Sequence, residues 1–409
     1  MTTARVFAVT LLAAGFAFSI GCGGGSSSSS THTTTPPTTP ANNSLTITVD
    51  AGPAGNYANG AFTSVTVCSP GTSTCQTVDG VLVDTGSSGL RILSSALTTV
   101  SLPQQKASDG NSVAECLTFL GSYTWGPVET ADVEMAGEKA SSVPIQVLSD
   151  TDYTAPNACT SSGFPPADTL NSLGANGILG VGLAAQDCGP SCPAGQYFEC
   201  SSTTNCVSTN EALAQQVINP VALFASDNNG VIIEFPAVSG AEASVSGTMV
   251  FGIGTQSNNG LGSATIYDAP DGTLTTTFSG NAYPGSFLDT GSNGYFFLDS
   301  SLTGLADCNS SNSPGGAVPI GFYCPATTQN FTAANQGTNG TSGTISFSVA
   351  SASTLFASSA DTVFPTLGGP ASNPPNYFDW GLPFFFGRNV YTAIENTSTP
   401  AGEGPYWAY

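Results

Sequence analysis

One stretch occurs twice in this chain and limits its possible folds more than any other feature. The first copy is GVLVDTGSSGLRIL at residues 80–93, and the second is GSFLDTGSNGYFFL at residues 285–298. Each copy runs from Gly through apolar residues to Asp-Thr-Gly-Ser, with a further Gly and Leu at the same distances after the Asp. A single Asp-Thr-Gly is weak evidence in a chain with 48 Gly, but two copies with matching flanks indicate a duplicated unit.

A second element repeats at nearly the same distance from each Asp. Gly180 lies in the apolar run NGILGVG at residues 176–182, and Gly381 lies in DWGLPF at residues 379–384. Each half of the chain therefore carries an Asp-Thr-Gly loop followed by an apolar stretch that contains a Gly. This spacing is typical of a duplicated lobe.

The composition favours a mostly β protein. The chain of 409 residues is long enough for two packed domains, and only 8% of its residues are charged. Alternating and β-branched residues predict strands at residues 45–49, 61–67, 143–148, 230–235 and 344–349. The best helix candidate is residues 210–218, where Asn210 can cap and Pro220 ends the run.

Charge and histidine content exclude several classes of function. The formal net charge is -22, so the surface repels nucleic acid, which we exclude as a partner. The single His, His32, lies in a low-complexity tract, which removes Ser-His-Asp catalysis, Cys-His catalysis and histidine-ligated metals. Chemistry must then use carboxylates, hydroxyls, thiols or lysines, and no metal or cofactor is implied.

The first residues predict export. Residues 1–21 read as a signal peptide, with Arg5 before an apolar run too short to span a bilayer permanently. Gly21-Cys22 resembles the end of a lipobox, whose Cys is acylated, although Ser19 stands where Leu is usual. Two readings stay open: a lipoprotein of the cell envelope anchored through Cys22, or a freely secreted protein. Residues 22–43 predict a low-complexity tether that holds a globular body off the membrane.

Ten cysteines besides Cys22 suit an oxidising compartment. Two pairs bracket turn-rich loops and predict disulfides, Cys68 with Cys75 and Cys308 with Cys324. By elimination Cys116 pairs with Cys159. The remaining four form a compact knot whose pairing the sequence leaves open, and a zinc site is the less favoured alternative: Cys188, Cys192, Cys200 and Cys206.

The doubled loops resemble the pepsin-like aspartic peptidases, which are bilobal β proteins with one Asp-Thr-Gly loop in each lobe. Residues 178–180 are similar to the element that crosses behind the first active loop, and residues 213–224, 247–254 and 380–394 are similar to later parts of that fold. The resemblance covers about residues 45–409. It implies an all-β, bilobal fold with pseudo-two-fold symmetry, with lobes at residues 44–229 and 230–409. Residues 125–128 and 387–409 also resemble a group of bacterial exported proteins of unknown function.

The resemblance implies a catalytic pair, Asp84 and Asp289. Two facing carboxyls share a proton and titrate as a pair, so the ionised one activates a water while the protonated one polarises a peptide carbonyl. The loop Thr, Gly and Ser side chains and amides would support each carboxyl; these are Thr85, Gly86, Ser87, Thr290, Gly291 and Ser292. The alternative without catalysis is that each Asp-Thr-Gly-Ser is an ordinary turn.

The flap that covers the substrate in this family is less well matched. The family carries a Tyr on a first-lobe hairpin, and Phe119 stands at that position when the segment is matched from Gly126. Tyr123 and Trp125 are the possible substitutes.

Two functional hypotheses follow. The first is an exported, monomeric aspartic endopeptidase that acts on polypeptides bound in a cleft at the two Asp-Thr-Gly loops. The second is a catalytically inactive protein that binds a peptide, glycan or protein partner in the same cleft. Two cations lie beside key motifs, Arg91 and Arg388, and we expect each to be a structural ion-pair partner rather than a substrate clamp.

Overall fold

The computed structural model describes residues 42–119, 121–149, 153–161, 163–313, 318–371 and 376–409. The predicted signal peptide, Cys22, His32 and all but the last two residues of the predicted tether lie outside this part of the chain. Within it, no helix combines the length and the apolar character that crossing a bilayer requires.

Strands dominate the first half of the chain, and its helices have only three or four residues. The strands are β1 (Ser44–Asp50), β2 (Gly60–Cys68), β3 (Cys75–Asp84), β4 (Ser88–Leu93), β5 (Ser112–Thr118), β6 (Tyr123–Met135), β7 (Glu138–Leu148), β8 (Gly177–Val181), β9 (Tyr197–Ser202) and β10 (Asn205–Thr209). The helices are α1 (Asn157–Thr160), α2 (Leu170–Leu173) and the 3₁₀ turns Ser94–Ala96, Leu213–Gln215 and Pro220–Leu223.

The second half has the same character. Its strands are β11 (Gly230–Glu234), β12 (Val245–Phe251), β13 (Ile266–Asp268), β14 (Leu274–Phe278), β15 (Asn281–Leu288), β16 (Tyr295–Phe297), β17 (Gln329–Gln336), β18 (Ser342–Val349), β19 (Gly368–Pro370), β20 (Asp379–Trp380), β21 (Asn389–Ala393), β22 (Ser398–Thr399), β23 (Gly402–Glu403) and β24 (Tyr406–Ala408). Its helices are α3 (Ser300–Thr303), α4 (Ala352–Leu355) and the 3₁₀ turn Leu382–Phe384.

Two large sheets account for most of these strands. The larger has the order β10-β9-β5-β6-β7-β4-β8-β3-β2-β1-β12-β11-β21-β24-β13, and the second has the order β18-β17-β14-β15-β20-β16-β19. β1 pairs antiparallel with β12, from Ser44 opposite Val250 to Val49 opposite Val245, so the larger sheet joins the two halves. The prediction of a mostly β, bilobal protein is confirmed, while the exact lobe boundary stays a prediction.

The predicted strands are all present, and their burial explains why. In β18, Ile345, Phe347 and Val349 are buried, while Thr344 and Ser346, which alternate with them, are exposed. Side chains of a strand point alternately to opposite faces, so the alternating sequence covers a core with one face and meets water with the other. β8 is buried along its whole length, as expected for a strand between two others at the centre of the sheet.

The predicted helix at residues 210–218 is wrong. Only the 3₁₀ turn Leu213–Gln215 forms there, and Gln216 is already extended. The reason is competition from neighbouring segments, because the Val217 amide donates to the Tyr197 hydroxyl at 2.7 Å and the Val217 carbonyl accepts from the Asp187 amide. Backbone groups bonded across to another segment are not available for helical hydrogen bonds.

Five disulfides form in the described chain. The pairs Cys68–Cys75, Cys116–Cys159 and Cys308–Cys324 agree with the prediction. The cysteine knot resolves into Cys188–Cys192 and Cys200–Cys206, the latter closing the β9–β10 hairpin. All four of its thiols are consumed, so the zinc alternative is wrong. This many disulfides indicates an oxidising compartment, extracellular or periplasmic.

Candidate active site

Asp84 and Asp289 occupy equivalent places in two equivalent frameworks. β3 runs parallel to β8 with Val83 opposite Leu179, and β15 runs parallel to β20 with Leu288 opposite Trp380. β4 then returns antiparallel to β8, and β16 returns antiparallel to β20. Each Asp therefore sits where its strand leaves the sheet, and the duplicated sequence becomes a duplicated support.

The two loops meet so closely that only Gly fits at the contact. A Cβ atom on Gly86 would lie 2.6 Å from Cγ of Asp289, and a Cβ on Gly291 would lie 2.7 Å from Oδ1 of Asp84. Any larger residue at either position would push the opposite carboxyl away. The Gly of each Asp-Thr-Gly is thus required by the approach of the other loop.

Both carboxyls have matching hydrogen-bond partners from their own loops. The Gly86 amide donates to Asp84 Oδ1 at 2.8 Å, and the Ser87 hydroxyl donates to Asp84 Oδ2 at 2.5 Å. In the second loop the Gly291 amide lies 2.7 Å from Asp289 Oδ1, and the Ser292 Oγ lies 2.9 Å from Asp289 Oδ2. The resemblance predicts contacts of this kind for the four residues, and their part in catalysis stays a prediction.

The threonines lock the loops together across the pseudo-two-fold axis. The Thr85 amide donates to Thr290 Oγ1 at 3.1 Å, and the Thr290 amide donates to Thr85 Oγ1 at 3.0 Å. The hydroxyls continue to the opposite strands, with Thr85 bonding the Leu288 carbonyl and Thr290 the Val83 carbonyl.

The carboxyl pair is buried and electrostatically coupled. Asp84 and Asp289 are both 0% exposed, and each carboxyl lies against the Gly of the opposite Asp-Thr-Gly loop. Burial raises the pKa of Asp289 well above its usual range, and the neighbouring Asp84 and Asp379 raise it further. The Asp289 carboxyl is therefore harder to ionise than an exposed one.

The predicted flap residues lie on a hairpin, and they pack against residues other than Asp84 and Asp289. β5 and β6 form this hairpin, and Phe119 at its turn is buried in a cluster with Leu82 and Ile178. Tyr123 and Trp125 are also buried, and Trp125 packs edge-on against Phe198 and donates to the Tyr153 carbonyl. A flap role for Phe119, Tyr123 and Trp125 stays a prediction.

Tyr57 is an aromatic residue whose pKa is raised by the carboxyl pair, and the sequence did not predict it as a site residue. Its ring packs edge-on against Phe62, and its hydroxyl is buried without a hydrogen-bond partner in the described chain. Burial raises the pKa of Tyr57, and the charges of Asp84 and Asp289 raise it further, so the phenol stays protonated. The repeated stretches at residues 80–93 and 285–298 do not include Tyr57, so the repeat did not point to it.

Asn59 ties the Tyr57 segment to the opposite lobe. Its side-chain amide donates to the carbonyls of Asn293 and Phe364 at 2.8 and 2.9 Å, and its Oδ1 accepts from the Phe364 amide at 2.6 Å. Asn293 follows Ser292, so the tie is made beside the second active loop. Residues 51–59, here called the bridging loop, thereby connect the lobes next to the carboxyl pair.

A third carboxyl lies beside the pair. Asp379 on β20 is 1% exposed, and its Oδ2 lies 2.5 Å from the Ser292 hydroxyl that also contacts Asp289. Burial raises the pKa of Asp379 well above its usual range, and Asp84 raises it further while the Ser292 hydrogen bond lowers it. The signal in the sequence is a charged residue inside an element that is apolar in the other half.

Arg91 is a structural ion-pair partner, as predicted. It is fully buried, and its guanidinium contacts Glu115 at 3.0 Å and Asp187 at 2.7 Å. Burial and Glu115 raise the pKa of Asp187 well above its usual range even though Arg91 lowers it. Arg388 instead stacks over the Phe384 ring, 4.5 Å from its centre, and donates to the Phe384 carbonyl.

Comparison with known proteins gives a family without an assigned function. No curated protein matches the chain. A solved structure, the crystal structure of an aspartic proteinase from Irpex lacteus, is similar with 16% identity and a TM-score of 0.49 over 89% of this chain and 96% of that one. The model of a family described as "Protein of unknown function (DUF3443)" matches residues 39–409, and the chain belongs to this family.

Proposed function

We propose that the protein is an exported aspartic endopeptidase that hydrolyses peptide bonds with a water activated by Asp84 and Asp289. The observation that carries this proposal is the close approach of two loops with buried carboxyls, each carboxyl held by the same Gly amide and Ser hydroxyl of its own loop. Two unrelated turns would have no reason to share this arrangement.

The proposed chemistry needs one proton shared between two carboxyls. The ionised carboxylate removes a proton from water as the water oxygen attacks the peptide carbonyl carbon, and the protonated partner donates to the carbonyl oxygen. The resulting tetrahedral intermediate collapses when the C–N bond breaks: the protonated carboxyl gives its proton to the leaving amine, and one hydroxyl of the intermediate gives its proton to the other carboxylate as the carbonyl forms again. The products are an acid and an amine, and the pair regains its single shared proton.

Substrate access requires movement in this proposal. Both carboxyls are 0% exposed, and Tyr57 lies in their electrostatic field within a loop tied to the opposite lobe by Asn59. A polypeptide must displace part of this cover to reach the pair. Covering loops that open for substrate and then exclude water are common in enzymes.

The same burial is the observation that favours the alternative function. If the carboxyl pair stays covered, the protein is catalytically inactive and binds a peptide, glycan or protein partner in the same cleft. The two functions differ in whether a peptide bond is broken, which a direct assay decides.

The test uses the purified full chain with a denatured protein substrate from acidic to neutral pH. We expect cleavage that pepstatin inhibits and that both Asp84→Asn and Asp289→Asn abolish. Asp79→Asn is the matched control, because Asp79 is exposed on the same strand β3 and its carboxylate accepts a surface hydrogen bond from Ser64. Absence of cleavage at every pH, or cleavage unchanged in Asp289→Asn, would exclude the peptidase and leave the binding function.

We also propose that residues 1–21 direct export, that Cys22 carries a lipid anchor and that the protein works as a monomer. An acylated Cys followed by a polar tether would present the folded part to extended polypeptides at a membrane surface. Cys22→Ser should move the protein from the membrane fraction to the soluble fraction. A wild-type chain already soluble after processing would support the secreted form instead.

A further inference from the structure

The pseudo-two-fold axis pairs Asp379 with an apolar residue. In the first lobe, Ile178 on β8 lies opposite Leu82 and Arg91. In the second lobe, Asp379 on β20 lies opposite Phe287 and Phe296, which are the residues at the equivalent positions. A buried carboxyl therefore replaces Ile at one of two equivalent sites, and it is next to the second Asp-Thr-Gly loop.

Ser292 connects this carboxyl to the catalytic pair. Its Oγ lies 2.5 Å from Asp379 Oδ2 and 2.9 Å from Asp289 Oδ2. A hydroxyl has one proton to donate, so it cannot donate to both oxygens. One of these two contacts must have a protonated carboxyl as its donor. In the first lobe the Ser87 hydroxyl donates to Asp84 alone, because the side chain at the position equivalent to Asp379, Ile178, has no polar atom.

Charge counting leads to the same requirement. Asp84, Asp289 and Asp379 are each at most 1% exposed, and no Lys or Arg of the described residues forms an ion pair with any of them. Three buried negative charges without a cation are too costly to form. In the proposed mechanism the catalytic pair shares one proton. For the three carboxyls together to carry a single negative charge, they must hold a second proton as well.

We propose that Asp379 holds this second proton and acts as a positioning residue, donating to Ser292 so that the Ser292 hydroxyl donates to Asp289. The consequence for catalysis rests on the proposed function, whereas the proton on Asp379 does not. With the proton on Asp379, the outer oxygen of Asp289 receives a hydrogen bond that favours its ionised form. The single proton of the pair is then free to lie between Asp84 and Asp289.

Loss of the Asp379 proton reverses the direction of the hydrogen bonds that link Asp379, Ser292 and Asp289. The Ser292 hydroxyl then donates to Asp379, and Asp289 loses its donor unless a proton moves to its outer oxygen, away from Asp84. The titratable groups that act on Asp379 are those of the catalytic pair. On β16, Tyr295 packs against Trp380 instead, and burial raises its pKa so that it stays neutral. Asp379 would therefore set an upper pH limit for catalysis.

The first measurement counts protons and needs no peptidase activity. Infrared difference spectra of wild type against Asp379→Asn, taken near pH 6 where exposed carboxyls are ionised, should show loss of one carbonyl stretch of a protonated carboxylic acid. Asp379→Ile, which copies the first lobe, should lose the same band and guards against an effect particular to the Asn side chain. Loss of ionised carboxylate bands alone would overturn the proposal.

The second measurement is the pH profile of kcat/KM. In Asp379→Asn the amide donates to Ser292 at every pH, so the alkaline limb should move to higher pH by about one unit. Asp79→Asn should leave the profile where it is. An alkaline limb of Asp379→Asn that superimposes on the wild type would overturn the positioning role. A wild type without activity would reject the proposed function, and the infrared spectra would still decide where the proton lies.

Discussion

Thr85 and Thr290 exchange backbone-to-hydroxyl hydrogen bonds across the axis that relates the two lobes. Each amide donates to the other residue's Oγ1, and each hydroxyl donates to a carbonyl of the opposite strand. Both side chains are at most 1% exposed. Because four bonds share two hydroxyls, removing either hydroxyl leaves buried backbone groups of the other lobe without partners.

Thr290→Val should therefore lower the free energy of unfolding by about 2–4 kcal/mol, since the Thr85 amide and the Val83 carbonyl are both left unsatisfied. Denaturant unfolding measures the loss. Thr290→Ser keeps the hydroxyl and is the control, and equal stability of the Val and Ser variants would contradict the prediction. The double variant with Thr85→Val should lose less than the sum of the two single losses, because the bonds belong to one network.

The pKa shift of Asp289 predicts how stability changes with pH. The pKa of Asp289 in the folded protein is raised well above its usual range by burial, so folding favours the protonated form. The stabilisation is complete below about pH 4 and is lost as pH rises through the folded pKa. Asp289→Asn removes this loss, and its melting temperature relative to wild type should increase from pH 4 to pH 8. The same difference should stay flat for Asp79→Asn, and a flat difference for Asp289→Asn would contradict the assignment.

Arg91 should be among the most sensitive positions outside the carboxyl pair. Arg91→Met leaves Glu115 and Asp187 buried without a cation, so we expect a loss of about 3–5 kcal/mol in the free energy of unfolding. Adding Glu115→Gln and Asp187→Asn should restore part of the loss, because the uncompensated charges disappear. Lys139→Met, which breaks a partly exposed ion pair with Asp132, is the comparison and should cost less. Similar losses for both substitutions would contradict this interpretation.

Asn59 should hold the bridging loop in place. Asn59→Ala removes three bonds to backbone groups of the opposite lobe, and we expect a loss of about 2–4 kcal/mol in the free energy of unfolding. Hydrogen exchange should also increase in the second active loop, because the Asn293 carbonyl loses its partner. Asn56→Ala, on the exposed part of the same loop, is the control. If both variants exchange like wild type, the loop is held by other contacts.

Local patterns were enough to predict much of the fold. Alternation in residues 344–349 predicts a strand because side-chain direction in a strand depends only on position along it. The helix at residues 210–218 failed because backbone pairing with residues 185–187 outweighed the local preference. The disulfide partners of Cys68 and Cys308 followed from short loops, whereas the four-cysteine knot needed the β9–β10 hairpin to select its pairs.

The equivalence of Asp84 and Asp289 could be inferred from the order of residues, because the duplication includes the Gly, Thr and Ser beside each Asp. The surroundings of the two carboxyls could be seen only in the folded chain. Asp379 meets Ser292 across 87 residues, and Tyr57 comes under the charges of both carboxyls from a loop outside the repeated stretches. Contacts between distant segments depend on how sheets pack and how loops cross, and no short-range pattern records them.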